Sequence, residues 1–549
     1  MGTTLSPVRF TIITTQLIIS IAENLQNLLL ENGLRSTIKL VLSDYDIKNT
    51  TANEWYIILY NSRDDSKIPK QSIFYQLEQT ESANVNMNNA SKAQIVWDMS
   101  VKNYSKYKDS VPFKKLFINP MPFHFKQSDN FIYDSNVYDI FFYGSINERR
   151  KAIMNAVSKK FPKTKIGWGI FGVQRDFFVK EAKIIVNIHY YKDAVLEAAR
   201  FNEVLKFNKL IISEGSENKD DFYSSYLYKD YVEFSEVVKD DLSNIDNLIG
   251  LIEPYLTNSS KYNEKIKYIR TNKYKLKNLS NFFLWKNLLS ITKPSEIKCK
   301  IDLVSAKIYC LSLIETPERF RAFSDQGIYK TDTSKFELVP AIKYDPGWKG
   351  CGLSYVNLIY NAKRCKLPTV TICEDDCSFN DDFYQKYKII QDFLKQLKSW
   401  DIFVGVLANL PEDTTLSKIY KYKGVTFIEI NKMHSTVFNI YNSSVYDTFL
   451  RWDVNNDDVH NNTIDQFLKN SNLRIIVPVP FEFSCLNVKS TLWNGNLFNA
   501  YNKLFEKSNK IIKRLMDEYL VHSTIIYLGS QKAGYTRRNK RYLRKTVRR

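Results

Sequence analysis

Short apolar runs alternate with longer polar stretches through the first 127 residues. "STIKLVLSDYD", "EWYIILYN", "QSIFYQLEQ", "AQIVWDMS" and "KKLFINPMP" are rich in β-branched and aromatic residues. Runs of this kind, apolar on both faces, read as strands buried from either side, and their spacing suits βα units around a parallel sheet. A second set follows. "YDIFFYGSINERRKAIMNAVSKKF" predicts strand, turn and helix, and "TKIGWGIFG" a strand and turn. "AKIIVNIHYYKDAVLEAARFNEVLKFNKLIISEGS" predicts strand, loop, helix and strand, and "KDYVEFSE" closes the set. Two consecutive α/β halves of this size predict a two-lobed body with a cleft between the lobes.

The chain has 549 residues, more than one ordinary domain holds. A Lys/Asn-rich helical region leads into "ITKPSEIKCKIDLVS", whose proline, charge and first cysteine mark a boundary near residue 300. A third α/β unit follows, with "AKIYCLSLI", "KFELVPAI", "LPTVTICEDD", "WDIFVGVL" and "GVTFIEI" as strands. "TPERFRAF" begins a helix with Thr316 as cap and Pro317 at its first position. "LSYVNLIYNAKRC" is a second helix, and "DFYQKYKIIQDFLKQLKSW" puts Phe383, Tyr387, Ile390, Phe393, Leu394 and Leu397 on one face of a third. The expected organisation is two lobes over 1–127 and 128–290, a linker over 291–303, an α/β domain over 304–500 and a helical, basic extension over 501–549. No internal repeat is present.

Hydrophobic residues make up 44% and charged residues 25%, a globular balance. The formal charge of +19 favours polyanionic partners, but its densest part is the last stretch, "QKAGYTRRNKRYLRKTVRR". That tail is either a solvated terminus or a contact for an acidic surface. A nucleic-acid-binding core would carry Lys/Arg stripes on the domains themselves, and a nucleotidyltransferase a Gly-rich phosphate loop; neither pattern stands out. "FTIITTQLIISIAENLQNLLL" is interrupted by Thr, Gln, Glu and Asn well before a membrane span is complete, and no secretion signal is read. Seven cysteines, all from Cys299 onward, fit reduced thiols and a cytoplasmic location.

The acidic run in "TVTICEDDCSF" has specific chemistry. It lies at the end of a predicted strand, where ligands of an α/β sheet collect. In extended backbone Glu374 and Asp376 project to one side and Asp375 to the other. Two hard oxygen ligands there suit Mg2+ or Mn2+ with open positions for a phosphate-bearing substrate. Cys373 and Cys377 form a lone C-x3-C, a weak zinc signal without a second pair, and a solvated acidic loop is the plain alternative.

The order of elements from Ile308 to Leu313, Arg319, Gly350, Cys351, Ser354, Glu374–Asp376, Trp400, Asp401 and Gly405 resembles glycosyltransferase family 25. The likeness continues through "HSTVFNIYNSS", "NTIDQFL" and "PVPFEFSCLNVKSTL" and covers about residues 304 to 495. It departs from the family where Cys485 or Leu486 stands at a usual Gln position. The resemblance implies a GT-A fold, a nucleotide-sugar donor such as a UDP-sugar, a divalent metal and inversion at the anomeric carbon. Glu374 and Asp376 become metal ligands. Glu374, Asp375, Arg319 and His434 become donor-site residues, with His434 also a candidate third metal ligand. Asp465, then Asp401, are the candidate bases for the acceptor hydroxyl.

The segment "KIIVNIHYYKDAVLEAARFNEVLKFNKLIISE" resembles the donor-binding lobe of GT-B glycosyltransferases through Asn187, His189, Glu197, Arg200, Glu203, Ser213 and Glu214. Glu197, Arg200 and Glu203 are three apart, on one helix face. Arg200 suits a diphosphate as a planar fork, and a glutamate suits ribose hydroxyls. The upstream "FFYGSINERR" resembles the strand that opens that lobe, which brings Gly144, Ser145, Arg149 and Arg150 to the donor phosphates. The spacing departs from the E-x7-E pattern of retaining families. The resemblance implies a bifunctional enzyme acting on a glycan or glycoprotein acceptor. A non-catalytic, acceptor-binding first half is the alternative. The fusion and the Lys/Asn/Ile/Tyr bias look like glycosylation proteins of giant DNA viruses.

Overall fold

The computed structural model describes residues 8–40, 54–59, 68–77, 87–103, 109, 111–126, 137–192, 194–216, 226–292, 299–491 and 498–529. The basic tail from Gln531 and the boundary segment at Pro294 lie outside the described residues. Residues 1–302, with 313–317 and 341–353, form one compact unit, and residues 303–312, 318–340 and 354–549 form a second.

The first unit carries two all-parallel sheets. Strands β1 (Arg9–Thr14), β2 (Arg35–Leu40), β3 (Glu54–Ile58), β4 (Ser72–Gln76), β5 (Ile95–Asp98) and β6 (Leu116–Ile118) lie in the order β2-β1-β3-β4-β5-β6. β4 and β5 are buried along their whole length, as strands covered on both faces must be. The N-terminal apolar stretch does not stay in one element. It divides at Thr15 into β1 and the helix Ile19–Glu31, which buries Ile21, Ala22, Leu25, Leu28 and Leu29. Among the described residues no helix is long and apolar enough to cross a membrane.

The second sheet contains β7 (Tyr138–Tyr143), β8 (Thr164–Gly167), β9 (Ala182–Asn187), β10 (Leu210–Glu214) and β11 (Val232–Ser235), in the order β11-β10-β9-β7-β8. Counted from its own first strand this is 2-1-3-4-5, the order that also opens the first sheet. In such a sheet the chain leaves the first strand toward one edge and the third toward the other. That opens a crevice at the carboxyl ends of those two strands. The helix Glu148–Lys160 follows β7; the Asn147 side chain caps it by accepting from the Arg150 N–H, and Lys159 and Lys160 occupy its last turn.

The second unit is built on a nine-stranded mixed sheet. Its strands are β12 (Ile308–Ser312), β13 (Phe336–Pro340), β14 (Thr369–Glu374), β16 (Ile402–Val404), β17 (Leu416–Tyr422), β18 (Val425–Ile430), β19 (Phe438–Asn442), β20 (Ile475–Val479) and β22 (Ile526–Tyr527). A two-stranded antiparallel sheet pairs β15 (Cys377–Phe379) with β21 (Phe483–Cys485). β12, β13 and β14 are parallel, whereas β19 runs against both β14 and β16. The helix anticipated from Leu353 begins earlier, at Gly347, and so takes in Gly350, Cys351 and Gly352. The predicted apolar helix spans Phe383–Gln396 and buries Phe383, Ile390, Phe393 and Leu394.

An aromatic cluster of Phe379, Phe383, Phe438 and Phe483 joins the helix to both sheets, with Phe438 and Phe483 stacked at 3.9 Å. Gly405, just past β16, lies under it: a Cβ there would stand 2.2 Å from the Phe483 ring and 3.1 Å from the Phe438 carbonyl. Gly405→Ala therefore displaces packed ring and backbone atoms. The expected cost is about 1–3 kcal/mol, read as a fall of several degrees in the melting temperature of the second unit.

Candidate functional site

In the first unit a cavity of about 300 Å3 lies at the carboxyl ends of both parallel sheets. Leu17, Ile18 and Ser20 follow β1, while Leu77, Met99 and Met121 follow β4, β5 and β6. From the second sheet come Tyr143 and Gly144 at the end of β7, the Gly169–Phe171 turn after β8, and the segment Leu196–Glu203 after β9. The crevice expected between β7 and β9 contributes one wall, and the segments after β1, β4, β5 and β6 contribute the other.

The charged groups on the second wall are linked in a chain. Arg150 donates to Glu197 at 2.6 Å, and Glu197 pairs with Arg200 at 2.8 Å. Arg200 also donates to the Asn187 side-chain oxygen at 2.5 Å and lies over the Tyr143 ring at 5.0 Å. Arg175 pairs with Glu203, and Glu203 accepts from the Ser20 hydroxyl at 2.8 Å, a bond between the helix after β1 and the helix after β9. Burial opposes the charge on Glu197, but Arg200 and Arg150 hold its carboxyl below the ordinary range, so it stays ionised. Burial, reinforced by Glu203, pushes the Tyr143 phenol well above its usual value and keeps it a neutral donor.

The expected residues divide between wall and frame. Gly144, Arg200 and Glu203 line the cavity. Arg149 does not. Its guanidinium is bidentate to Glu214, at 3.0 and 2.5 Å, and donates to the His189 and Val238 carbonyls. Glu214 also accepts the His189 and Val238 N–H groups, at 2.7 Å each. The His189 ring faces the Glu214 and Gly215 carbonyls, Asn187 donates to Ser213, and the Ser145 carbonyl accepts from Arg150. These groups lock the strand ends and aim Arg200. Tyr143, Arg175 and Ser20 complete the wall. No motif announced them, because their roles come from contacts with elements distant in the chain.

Gly144 is the tightest point of the wall. A methyl there would lie 2.8 Å from an Arg200 nitrogen and 3.3 Å from one of Arg150, at a φ of +137° that L side chains rarely adopt.

In the second unit, β14 ends at Glu374, and Asp375 and Asp376 form the turn into β15. Asp375 is buried and accepts from the Arg319 Nε and Nη2, at 2.8 and 2.6 Å, and from Ser312 at 2.7 Å. Arg319 also reaches Asp376 at 3.0 Å and the Lys489 carbonyl at 2.7 Å. Burial disfavours its charge, but Asp375 and Asp376 outweigh that and raise its pKa. Glu374 faces elsewhere, accepting from Tyr355 at 3.0 Å and Thr436 at 2.6 Å. Burial, with the nearby Asp376 charge, pushes its carboxyl up to about 7. The Asp376 Oδ1 is buried without a hydrogen-bond partner. Among the described residues no group of three or more His, Cys, Asp or Glu side chains is arranged to hold a metal.

Two residues beyond His434, Thr436 ties this strand end to a second pair. The His434 Nε2 lies 2.9 Å from Asp465, and its Nδ1 is 3.1 Å from the Ala408 carbonyl. Asp465 also accepts from Thr463 at 2.7 Å. Burial opposes its charge, but His434 and Thr463 hold its pKa below the usual value. Asp401 is fully occupied: Ser444 and the Arg474 backbone and guanidinium engage both its oxygens at 2.7–3.1 Å.

No protein-family model and no curated protein matches the chain. Among solved structures it is similar to an α1,3-fucosyltransferase with GDP-fucose (12% identity, 48% of this chain and 83% of that one, TM-score 0.30). It is also similar to UGT2 of Phytolacca americana complexed with UDP-2-fluoro-glucose and pterostilbene (7%, 53% and 100%, 0.29). A third is MurG of Acinetobacter baumannii (9%, 51% and 99%, 0.27).

Two outcomes test the division of roles. Arg149→Ala leaves the Glu214 carboxylate buried without its cation, so it is expected to destabilise the first unit by about 3–5 kcal/mol in thermal or urea unfolding. The Glu374 carboxyl has a folded pKa above its unfolded one, so the cost of ionising it grows as pH rises from about 4.3 through about 7. In EDTA, Glu374→Gln should gain melting temperature relative to the parent chain between pH 5 and pH 8; a pH-independent difference would refute the assignment.

Proposed function

We propose that the chain is a glycosyltransferase acting on nucleotide-sugar donors, with a GT-B-like first unit and a GT-A, family-25-like second unit. The observation that carries the reading is the cavity of the first unit, where crevices of two parallel sheets meet an Arg–Glu–Arg chain. Arg200, pre-aimed by Asn187 and Glu197, offers fork-shaped donors to a diphosphate, where guanidinium groups bind bidentately. Glu203 offers a carboxylate to ribose hydroxyls, and Tyr143 a neutral hydroxyl. Gly144 keeps the backbone out of the space these groups need.

In the second unit the proposed transfer is inverting. Glu374 and Asp376 are neighbours by charge, and the unpartnered Asp376 oxygen fits a donor set that lacks a cation. These two carboxylates would hold Mn2+ or Mg2+, which when bound supplies neutralising charge to a leaving diphosphate. Arg319, held by Asp375, contributes fixed positive charge beside them. Asp465 is the proposed base: kept ionised by His434, it takes the proton from the acceptor hydroxyl as that oxygen attacks the anomeric carbon. Asp401, with both oxygens engaged, is assigned to holding Arg474 and not to proton transfer. The acceptor is a glycan or glycoprotein, and the seven free thiols accord with the cytoplasm as the site of action.

Hydrolysis of a nucleotide-sugar panel, with Mn2+ or with EDTA, tests both halves. Arg200→Ala should lower turnover of one donor by about 100-fold or more, whatever the metal. Glu374→Ala/Asp376→Ala should abolish a metal-dependent turnover and leave the first untouched. Loss of all turnover in either variant alone would mean a single active unit. No turnover and no thermal shift with any donor would overturn the reading. Gly144→Ala should weaken nucleotide binding about tenfold or more in calorimetry and also lower the melting temperature, because alanine at this φ is strained.

A further inference from the structure

The C-terminal helix Phe498–His522 belongs to the second unit and packs against it along one face. Phe505, Ser508, Ile511, Ile512 and Leu515 are buried at helical spacing, and the half-buried Tyr501 opens the same stripe. The Tyr501 ring stacks on Phe505, with centroids 6.5 Å apart and planes at 20°. The helix is pinned to the segment after β16. The Asn409 N–H donates to the Leu504 carbonyl at 3.3 Å, the Leu410 N–H to the Ser508 hydroxyl at 2.9 Å, and Lys507 to the Asn409 side chain at 3.1 Å. One residue earlier, Ala408 holds His434: its carbonyl faces the ring Nδ1 at 3.1 Å, and its N–H donates to the His434 carbonyl at 2.9 Å. The helix is thus fixed beside the His434–Asp465 pair, with Tyr501 one turn ahead of Leu504.

Electrostatics place the phenol at the acidic strand end. Burial, then the charges of Asp376 and Glu374, push its pKa up to about 12 against the pull of Arg319, so the hydroxyl stays a neutral donor. Those carboxylates act on the hydroxyl, yet among the described residues no hydrogen bond engages it, and the Asp376 Oδ1 has no partner either. The two groups lie within each other's field and farther apart than a hydrogen bond. A tyrosine whose ring is packed on a fixed helix, and whose hydroxyl is unengaged beside a cluster of charges, has a donor to offer to a third body between them.

We propose that Tyr501 is a donor-binding residue of the second unit, its hydroxyl donating to an oxygen of the diphosphate that lies among Glu374, Asp376 and Arg319. This rests on the functional reading above and deepens it: the C-terminal helix, and not the α/β domain alone, completes the site. As the anomeric C–O bond breaks, its electron pair goes to the diphosphate oxygen and the phenol proton stays on Tyr501. The hydrogen bond strengthens as that charge develops.

The test is calorimetric titration of the full chain with UDP and with GDP, in Mn2+ and in EDTA, in an Arg200→Ala background that removes the first unit's contribution. Tyr501→Phe, which keeps the ring on Phe505, should weaken the Mn2+-dependent binding about tenfold or more, the loss of a hydrogen bond to a charged group. Mn2+ binding without nucleotide, read by electron paramagnetic resonance, should not change, nor should the melting temperature, because the hydroxyl bonds to neither the cation nor the protein. Equal nucleotide affinity in Tyr501→Phe overturns the inference alone and leaves Glu374 and Asp376 as the site. Weaker nucleotide binding accompanied by weaker Mn2+ binding or a lower melting temperature also overturns it, since Tyr501 would then act through the fold. If the chain with Tyr501 intact binds neither Mn2+ nor a nucleotide in its presence, the functional reading of this unit fails, and the inference fails with it.

Discussion

A carboxylate buried at the end of a parallel strand must be neutralised where it stands, and in both units an arginine does this. Glu214, at the end of β10, is fully buried and held by Arg149; Asp375, just past β14, is held by Arg319. Neither charge could be left alone at that depth, since an unpaired ion in the interior costs several kcal/mol. What each pair gains is a fixed frame. Arg149 and Glu214 bind the backbone of His189 and Val238, and so hold the ends of neighbouring strands at a set height. On that frame Asn187 aims Arg200 into the cavity. In the second unit Arg319 holds Asp375 and one oxygen of Asp376, and leaves the other Asp376 oxygen buried without a hydrogen-bond partner.

Much of this architecture was legible in the chain. Buried strands that pack on both faces advertise themselves as continuous apolar runs, and the five runs before residue 127 all became strands of one parallel sheet. The helix Phe383–Gln396 was equally plain, since its apolar residues recur at helical spacing. The start of the helix at Gly347 was hidden because three glycines, poor helix formers, occupy its first turns, and burial of Leu353, Tyr355 and Leu358 outweighs that propensity. The mixed half of the nine-stranded sheet was only partly visible. β20 is a short run whose pairing with β18 is settled tens of residues away, and β17, although it forms a local hairpin with β18, has exposed polar residues breaking its apolar pattern.

The sites were legible as residue types and not as roles. "EDD" marked a strand end with chemistry, but nothing local says that Asp375 is claimed by an arginine 56 residues earlier while Asp376 keeps an unpartnered oxygen. Arg149 and Arg200 look equally suited to phosphate in the sequence. Only the fold shows the first committed to Glu214 and the second facing the cavity. Asp401 likewise differs from Asp465 through Arg474 and Ser444, a distinction made by packing.

The bond between Ser20 and Glu203 has one more implication. It joins the helix that follows β1 to the helix that follows β9, and it uses an oxygen of a carboxylate on the cavity wall. The same oxygen also takes Arg175. One side chain therefore both faces the cavity and fixes the spacing of the two walls, so whatever perturbs that carboxylate acts on the separation of the lobes as well as on the lining.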